Sequence, residues 1–443
     1  MKEDVEVVDL YDLRYSDLVL LSSGQVASSS SSEELDRLDL VRRQIMEALG
    51  PAGPGLLAIS GVPNASALRR HLPLARKLTF LDADHRKRIL KGHNLGSDVP
   101  LKNPGRSVSS FAMQLSYAYA FEKHTLLNSE DKDLRHIDSD KATELQDNEY
   151  TNLGNNLKEL GFCMMELGRL LARVCDSVMG GQEMEQSLLE SCTAKGRLIH
   201  YHSALDGQLL KQAARKKGGI SKSGRKQSIA DHTKLTGGSG EVGPCSSIHS
   251  NLWQQWHYDY GIFTVLTAPL FLQQWCPQAG EEDRFEDCRF EECSGYPSGH
   301  TYLQIFDPNK NIILMVKTSP ETFIVQVGES AEILSKGKVR AALHSVGKPG
   351  DFENLSRETF VVFLQPAWNK VFSMSDYPMK HISSGDQCLS LESSEEKKRI
   401  AEQDFQKIVP PLTSRLKDGM TFAEFSRETT KQYYGGSGLQ SNR

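Results

Sequence analysis

The chain has 443 residues, of which 38% are hydrophobic and 25% charged, and its formal net charge is −5. This composition is typical of a globular protein with a sizeable core, and its acidic balance argues against a general nucleic-acid binder. No apolar run approaches the roughly 18 residues that a membrane span needs, and the acidic N-terminus lacks the apolar stretch of a secretory signal. Eight cysteines without such a signal are interpreted as reduced thiols, so we expect a cytoplasmic monomer, with the nucleus as the alternative compartment.

The N-terminal region, residues 1–195, is predicted to be mainly helical with a few strands and to pack against the rest of the chain. Short apolar runs within residues 5–20 suggest edge strands or a docking arm. Residues 31–34, Ser-Ser-Glu-Glu, are a capping box that begins an amphipathic helix. Asn64 is predicted to cap the next helix, and residues 92–112, rich in Gly, Asn, Pro and Ser, indicate a loop.

The strongest helical pattern runs from Leu153 to Val178, where apolar residues recur at alternating spacings of four and three. Gly154, Gly161 and Gly168 form a second stripe beside the apolar one. Each glycine costs roughly 1 kcal/mol of helix propensity. We therefore expect another backbone to approach the helix closely along this stripe.

From about Arg197 the hydrophobic period becomes two, which is typical of strands. A polar insertion at 205–248 interrupts the pattern, and its basic residues favour a solvated segment over a nuclear-localisation or nucleic-acid patch. Short strands separated by turn residues then indicate an antiparallel sandwich or jelly roll within 196–370. Residues 371–443 are predicted to be a C-terminal helical extension, with helical patterns at 395–408 and 421–432. The predicted strands are 252–259, 262–267, 269–274, 301–306, 311–317, 321–327, 338–346 and 358–365.

Three candidate metal ligands follow from residue type and spacing. His257 and Asp259 are two apart on a predicted strand and therefore project from one face. With His344 they would form a triad of two histidines and one carboxylate, which leaves open positions on a non-haem Fe(II). Arg357 and Thr359, again two apart, suit the distal carboxylate of a small dicarboxylic co-substrate, since arginine binds carboxylate bidentately. The alternative for Arg357 is a structural ion pair.

The segments around these residues resemble the plant-type 2-oxoglutarate- and Fe(II)-dependent dioxygenases, which are relatives of isopenicillin N synthase. The resemblance implies an α+β fold, in which N-terminal and C-terminal helices pack on a double-stranded β-helix (jelly-roll) core. The matching segments are 256–267, 323–337, 339–346 and 356–363, with weaker support from 55–63.

The resemblance also implies an activity. His257, Asp259 and His344 would hold Fe(II), and Arg357 would anchor 2-oxoglutarate. O₂ would oxidise a small organic substrate, most simply by hydroxylation, with release of succinate and CO₂. Neither a membrane nor a nucleic acid is expected as a partner.

Departures from the family pattern leave alternatives open. Thr359 occupies the position at which the family usually has serine, and threonine retains the hydroxyl group. His200 and His202 occupy the positions of an Asn-x-Tyr motif that contacts the co-substrate in many members, so they become candidate cofactor-binding residues. A catalytically degenerate jelly roll that binds metal or a partner is the second hypothesis. A nucleic-acid demethylase, which rests only on the basic residues between Arg215 and Lys226, is the third.

Overall fold

The computed structural model of the chain describes residues 6–24, 31–97, 99–117, 148–218, 251–275, 289–374, 405 and 408–434. In this part of the chain no helix is long and apolar enough to cross a membrane. The strands are β1 (Val7–Asp9), β2 (Asp12–Arg14), β3 (Leu56–Ser60), β4 (Val108–Ser116), β5 (Thr193–Tyr201), β6 (Leu252–His257), β7 (Phe263–Thr267), β8 (Leu270–Trp275), β9 (Arg289–Glu292), β10 (Leu303–Asp307), β11 (Ile312–Lys317), β12 (Phe323–Val327), β13 (His344–Gly347) and β14 (Leu355–Leu364). The helices are α1 (Tyr15–Ser23), α2 (Ser32–Leu49), α3 (Ala65–Arg69), α4 (Leu74–Phe80), α5 (Ala83–Gly92), α6 (Leu153–Met179), α7 (Glu183–Ser191), α8 (Ala204–Gly218), α9 (Glu329–Leu334), α10 (Leu412–Arg415) and α11 (Phe422–Tyr434), with a 3₁₀ turn at Asn148–Tyr150.

The strands form two mixed sheets. The five-stranded sheet has the order β1–β11–β10–β13–β6, and the nine-stranded sheet has the order β2–β3–β12–β7–β14–β5–β4, with β8 pairing with β14 and β9. The pairs β1–β11 and β2–β3 are parallel, whereas the other described pairs are antiparallel. Two mixed sheets with helices confirm the predicted α+β class.

Each strand predicted after residue 250 overlaps an observed strand, but one begins late. The prediction gave 338–346, whereas β13 begins at His344. Before it, Arg340 N donates to the carbonyl of Leu49 (2.8 Å) and Ala342 N to that of Val327 (3.2 Å). The two donors go to different neighbours, so the segment forms no ladder.

Two regions predicted as irregular are partly regular. The loop prediction for 92–112 is wrong from Val108 onward, because β4 pairs along its whole length with β5. Pairing and burial outweigh the serine-rich composition there. The start of the 205–248 insertion is helix α8, whose first turn is a capping box: Asp206 N donates to Ser203 Oγ (2.9 Å) and Ser203 N to Asp206 Oδ2 (3.0 Å). Residues 219–250, and with them most of the basic stretch, lie outside the described residues.

Helix signals in the N-terminal region had mixed outcomes. Ser31 is confirmed as the N-cap of α2, because its Oγ accepts the amide of Glu34 at 3.3 Å, whereas the carboxylate of Glu34 accepts from Arg37. Asn64 precedes α3 in a left-handed conformation and its side chain makes no capping hydrogen bond, so that prediction is wrong. The first apolar run near the N-terminus forms β1, as expected of an edge strand, whereas the second, which begins at Leu18, lies in helix α1, so the strand prediction is wrong there. The helix predicted at 421–432 is α11, whereas most of 395–408 lies outside the described residues.

The long helix α6 packs on the nine-stranded sheet through its glycine stripe. A Cβ added to Gly161 would lie 2.5 Å from Leu115 Cδ1, and one added to Gly168 would lie 2.1 Å from Leu364 Cδ1. The glycines therefore make room for side chains of β4 and β14. The predicted close approach is correct, but its partners at these two positions are leucine side chains and not another backbone.

Candidate metal centre

The pairing of β6 with β13 brings two histidines together. His257 ends β6, His344 begins β13, and the two are register partners. Their ring centroids are 4.2 Å apart. Asp259 follows β6, with Oδ1 3.8 Å from His257 Nε2 and Oδ2 3.8 Å from His344 Nε2. All three side chains are buried, and their ligand atoms lie within 4.8 Å of one another. The sequence-predicted triad is thus one cluster.

Backbone carbonyls orient both imidazoles. His257 Nδ1 donates to the carbonyl of Gln255 (2.8 Å) and His344 Nδ1 to that of Ala342 (3.0 Å). Since a carbonyl oxygen only accepts, each Nδ1 carries the hydrogen and each Nε2 presents a lone pair toward Asp259. Thr264 Oγ1 donates to Asp259 Oδ2 at 2.6 Å and fixes the carboxylate.

The protonation state of His257 suits a metal ion. Burial and the neighbouring His344 lower the pKa of His257 to about 4, against the opposing effect of Asp259. The imidazole is therefore neutral at pH 7, as a metal ligand must be. Two imidazoles with their Nε2 atoms turned inward and one carboxylate are the donor set of the facial triad that binds Fe(II). The residues present fit that ion.

A further side chain, Gln326 of β12, contacts the triad from the nine-stranded sheet. It is fully buried, and its Nε2 lies 3.2 Å from Asp259 Oδ2 and 3.1 Å from His344 Nε2. Sequence reasoning did not single it out. Strand alternation within 323–327 places it on one face with Ile324, two positions away. Only the observed sheet packing shows that this face contacts the triad.

Arg357 and Thr359 lie on the inner face of β14. Val361, next on that face, packs in one apolar cluster with Trp253 and Val346 of the five-stranded sheet. Arg357 is 2% exposed and donates from Nε to the carbonyl of Thr301 (3.1 Å). Thr359 Oγ1 donates to the carbonyl of Thr267 (3.3 Å). The guanidinium and hydroxyl therefore share a face, as predicted.

No carboxylate within the described ranges forms an ion pair with Arg357, so the structural-pair alternative has no partner there. Burial lowers the pKa of this guanidinium. An unpaired buried charge is costly, by several kcal/mol for an ion in a protein interior. The arrangement is that of a site for an anion.

A chain of polar contacts joins Arg357 to the triad. Tyr201 is its register partner on β5, and the guanidinium carbon lies 5.1 Å from the centre of the Tyr201 ring. Tyr201 Oη donates to Gln254 Oε1 (3.0 Å), and Gln254 Nε2 lies 2.9 Å from His257 Nε2. Tyr201 and Gln254 were both missed by sequence reasoning.

The structure does not bring His200 and His202 to the triad or to Arg357. Tyr201 faces Arg357, and its neighbours along β5 project to the opposite side of the sheet. There His200 Nδ1 lies 2.8 Å from Glu358 Oε1 and its Nε2 lies 3.4 Å from Asp206 Oδ2. A shift of one position in the motif comparison accounts for the difference, because it exchanges the two faces of a strand.

The cluster around His200 is a buried ionic network. Asp206 accepts two hydrogen bonds from Arg76, at 2.7 and 3.2 Å. Burial alone would lower the pKa of His200, but Glu358 and Asp206 outweigh it and raise that pKa to about 9. Burial alone would raise the pKa of Asp206, whereas His200 and Arg76 hold it below its usual range. His202 pairs separately with Ser109 Oγ, at 2.9 Å.

Comparison with protein-family models gives no match, and comparison with curated proteins gives none either. Solved structures do match. A full-length Neurospora crassa protein, crystallised in complex with alpha-KG and 5-formyluracil, is 13% identical with a TM-score of 0.50, over 97% of this chain and 98% of that one. The rice dioxygenase for auxin oxidation is 16% identical, covering 81% and 83% of the two chains with a TM-score of 0.43. The Arabidopsis thaliana dioxygenase for auxin oxidation 1, in complex with 2-oxoglutarate, is 13% identical over 82% and 94%, also with a TM-score of 0.43.

At these identities the comparison shows the fold alone. The evidence for the fold is the Neurospora crassa match, which spans nearly the whole of both chains. The chain therefore has the fold of this Neurospora crassa protein, which was crystallised with alpha-KG.

Proposed function

We propose that the protein is an Fe(II)- and 2-oxoglutarate-dependent dioxygenase that oxidises a small organic substrate, most simply by hydroxylation. One observation carries the proposal. A buried His257–Asp259–His344 cluster is connected through Gln254 and Tyr201 to a buried Arg357 that has no carboxylate partner among the described residues. A dicarboxylate bound to iron requires both a site for the metal cation, here the triad, and a positive group for its distal carboxylate, here Arg357.

We also propose that the two sheets are the halves of a double-stranded β-helix. The nine-stranded sheet contains the neighbours β12–β7–β14–β5, and the five-stranded sheet contains β11–β10–β13–β6. Along the chain, β5, β6, β7, β10, β11, β12, β13 and β14 alternate between the sheets except at β10 and β11. This alternation is expected when a strand pair winds helically into two facing sheets.

In the proposed mechanism, bound iron and 2-oxoglutarate supply the oxidising chemistry, with O₂ as oxidant and succinate and CO₂ as products. His257 and His344 offer their Nε2 atoms, and Thr264 holds the carboxylate of Asp259 in place. Arg357 would bind the distal carboxylate of the co-substrate through a charge-assisted pair, with Thr359 beside it. The dry surroundings strengthen that pair, since charges interact more strongly in a low dielectric.

The proposed substrate is a small molecule. The matching Neurospora crassa protein was crystallised with 5-formyluracil, which supports this class.

The proposal is tested with the full chain by measuring retained iron and 2-oxoglutarate turnover to succinate. Asp259→Ala should abolish both, because it removes a ligand. Asp9→Ala, at a carboxylate whose side chain is 76% exposed, should change neither. Arg357→Met should raise the 2-oxoglutarate concentration for half-maximal turnover about tenfold or more, since losing one partner of a buried charge pair is expensive.

Iron binding and turnover that persist in Asp259→Ala would refute the ligand assignment. An unchanged 2-oxoglutarate requirement in Arg357→Met would refute the anchor. Iron binding by the wild-type protein without any succinate formation, across candidate substrates, would favour the degenerate metal-binding module.

A further inference from the structure

The C-terminal segment, defined here as residues 405 and 408–434, packs against residues that are adjacent in sequence to the candidate ligands. Trp256, Tyr258 and Leu343 each immediately precede one of the three candidate ligands, and all three lie in one apolar cluster. Trp256 is 1% exposed, and its ring centre lies 5.1 Å from that of Phe405. The C-terminal members of the cluster are Phe405, Ile408, Val409 and Tyr433.

Between the C-terminal segment and the ligand Asp259 lies the first turn of α9. Glu329 N donates to the carbonyl of Asp259 (2.8 Å), and Ser330 N to that of Gly261 (3.0 Å). The approach is tight, because a Cβ added at Gly328 would lie 2.3 Å from the carbonyl oxygen of Gly261. The backbone of α9 therefore holds the ligand-bearing loop at the residue that would coordinate the metal.

The side chain of Glu329 is held in turn by the C-terminal segment. Arg415 donates to it from Nη1 (2.8 Å) and Nη2 (2.5 Å) in a bidentate pair. Arg415 also donates to Thr429 Oγ1 (3.1 Å) and to the carbonyl of Pro410 (2.9 Å). Arg415 and Glu329 are 1% and 3% exposed. Glu329 thus connects the two: its backbone amide binds Asp259, and its carboxylate binds Arg415 of the C-terminal segment.

Loss of Arg415 would leave a buried carboxylate without its cation, which is strongly unfavourable. Glu329 would then move toward solvent. Movement of Glu329 would release the carbonyl of Asp259 from its partner. Lysine cannot replace Arg415 fully, because an ammonium group does not provide the planar fork of two parallel N–H donors.

We propose that Arg415 is a positioning residue of the metal centre: through Glu329 it fixes Asp259, so that the C-terminal segment sets the affinity for a divalent metal ion. The inference rests on the proposed assignment of His257, Asp259 and His344 as ligands. Interactions that orient metal ligands without touching the metal commonly contribute about 10–100-fold in affinity.

The test compares Arg415→Met and Arg415→Lys with a matched control, Arg169→Met. Arg169 also forms a bidentate pair with a glutamate, Glu166, but on α6, away from the site. Hydrogen exchange of the metal-free full chain reports the 258–262 loop directly. Titration with Co²⁺, followed by its visible absorption, reports the dissociation constant and the ligand geometry.

In Arg415→Met we expect faster exchange in 258–262, a Co²⁺ dissociation constant raised about tenfold or more, and an altered absorption band. Arg415→Lys should change all three in the same direction by less. Arg169→Met should leave loop exchange unchanged and the dissociation constant within about twofold of wild type.

Wild-type exchange and affinity in Arg415→Lys would overturn the inference, and this variant decides the question if Arg415→Met does not fold. An equal loss of affinity in Arg169→Met would overturn it too, since the effect would then be general destabilisation. If the wild-type protein binds no Co²⁺, the proposed function fails, whereas loop exchange still decides whether Arg415 fixes the Asp259 loop.

Discussion

Gln326 is one of two residues, with Thr264, through which the nine-stranded sheet contacts the candidate ligands. Its single amide nitrogen lies near both Asp259 and His344. Thr264 and Gln326 both donate to Oδ2 of Asp259, which fixes the direction of the carboxylate and leaves Oδ1 without either donor. Such support sets both the orientation and the basicity of a ligand.

Replacing Gln326 with leucine should therefore weaken metal binding without removing a ligand. The two side chains are similar in size, so the core stays filled while the donor is lost. We expect the Co²⁺ dissociation constant of Gln326→Leu to rise about 10–100-fold. Gln304→Leu, which removes the acceptor of Ser345 Oγ in the five-stranded sheet, is the control and should bind Co²⁺ normally. Unchanged affinity in Gln326→Leu would contradict this role.

At this scale the sequence predicts ligands better than their surroundings. His257, Asp259 and His344 follow from residue type and from a strand pattern around each of them, and the structure brings them together. His200 and His202 fail because a motif comparison carries no information about strand phase, and one position exchanges the two faces. Tyr201 and Gln326 depend on which sheets face each other, a property of the folded chain.

Among the elements, α6 shows how one helix is matched to a sheet. Its glycines at 161 and 168 accept leucine side chains from β4 and β14. Periodicity predicts the helix and its buried stripe well. It does not identify the partners, and the first half of β4 lies in the serine-rich stretch 92–112 that composition predicts as loop. It also missed α8, whose capping box at Ser203 and Asp206 precedes a Gly- and Lys-rich stretch.

Gly168→Ala should destabilise the protein, because its methyl group would overlap Leu364. Overpacking typically costs about 1–3 kcal/mol, which exceeds the roughly 1 kcal/mol gained in helix propensity. The matched control is Gly207→Ala in α8, where an added Cβ meets nothing within 4 Å. That variant should gain up to about 1 kcal/mol. Urea denaturation of both measures the difference, and equal effects of the two substitutions would refute the packing argument.

For the whole molecule, the buried ionic network joins regions that the sequence divides. Arg76 belongs to α4, Asp206 to α8, His200 to β5 and Glu358 to β14. The largest core cluster likewise contains residues from Leu13 to Leu364. We propose that the N-terminal region 1–195 and the core 196–370 unfold together, while the C-terminal segment, residues 405 and 408–434, packs beside the metal centre.

This network predicts how stability depends on pH. The folded-state pKa of His200, about 9, lies above the value of about 6.5 expected in the unfolded chain. The folded state therefore binds the proton more tightly. Its contribution is fully present below about pH 6.5 and is lost as the pH rises through 9, by about 3 kcal/mol at most.

Urea denaturation of the wild-type protein should accordingly show a falling free energy of unfolding between about pH 7 and pH 9.5. His200→Gln should be less stable at pH 7 and should lack this slope, because glutamine carries no titrating proton. A flat wild-type profile, or a variant that keeps the slope, would show that His200 is neutral in the folded state.

Strands β1 and β2 have a consequence for how the protein behaves among its own copies. They lie at the ends of the two sheets, each parallel to its neighbour and only three residues long. Open sheet edges invite pairing with other chains, and short, charged edge strands discourage it. Asp9 is the last residue of β1, and Asp12 and Arg14 are the first and last residues of β2, so both edge strands carry charged side chains at their ends. These residues thus protect β11 and β3 from edge-to-edge aggregation.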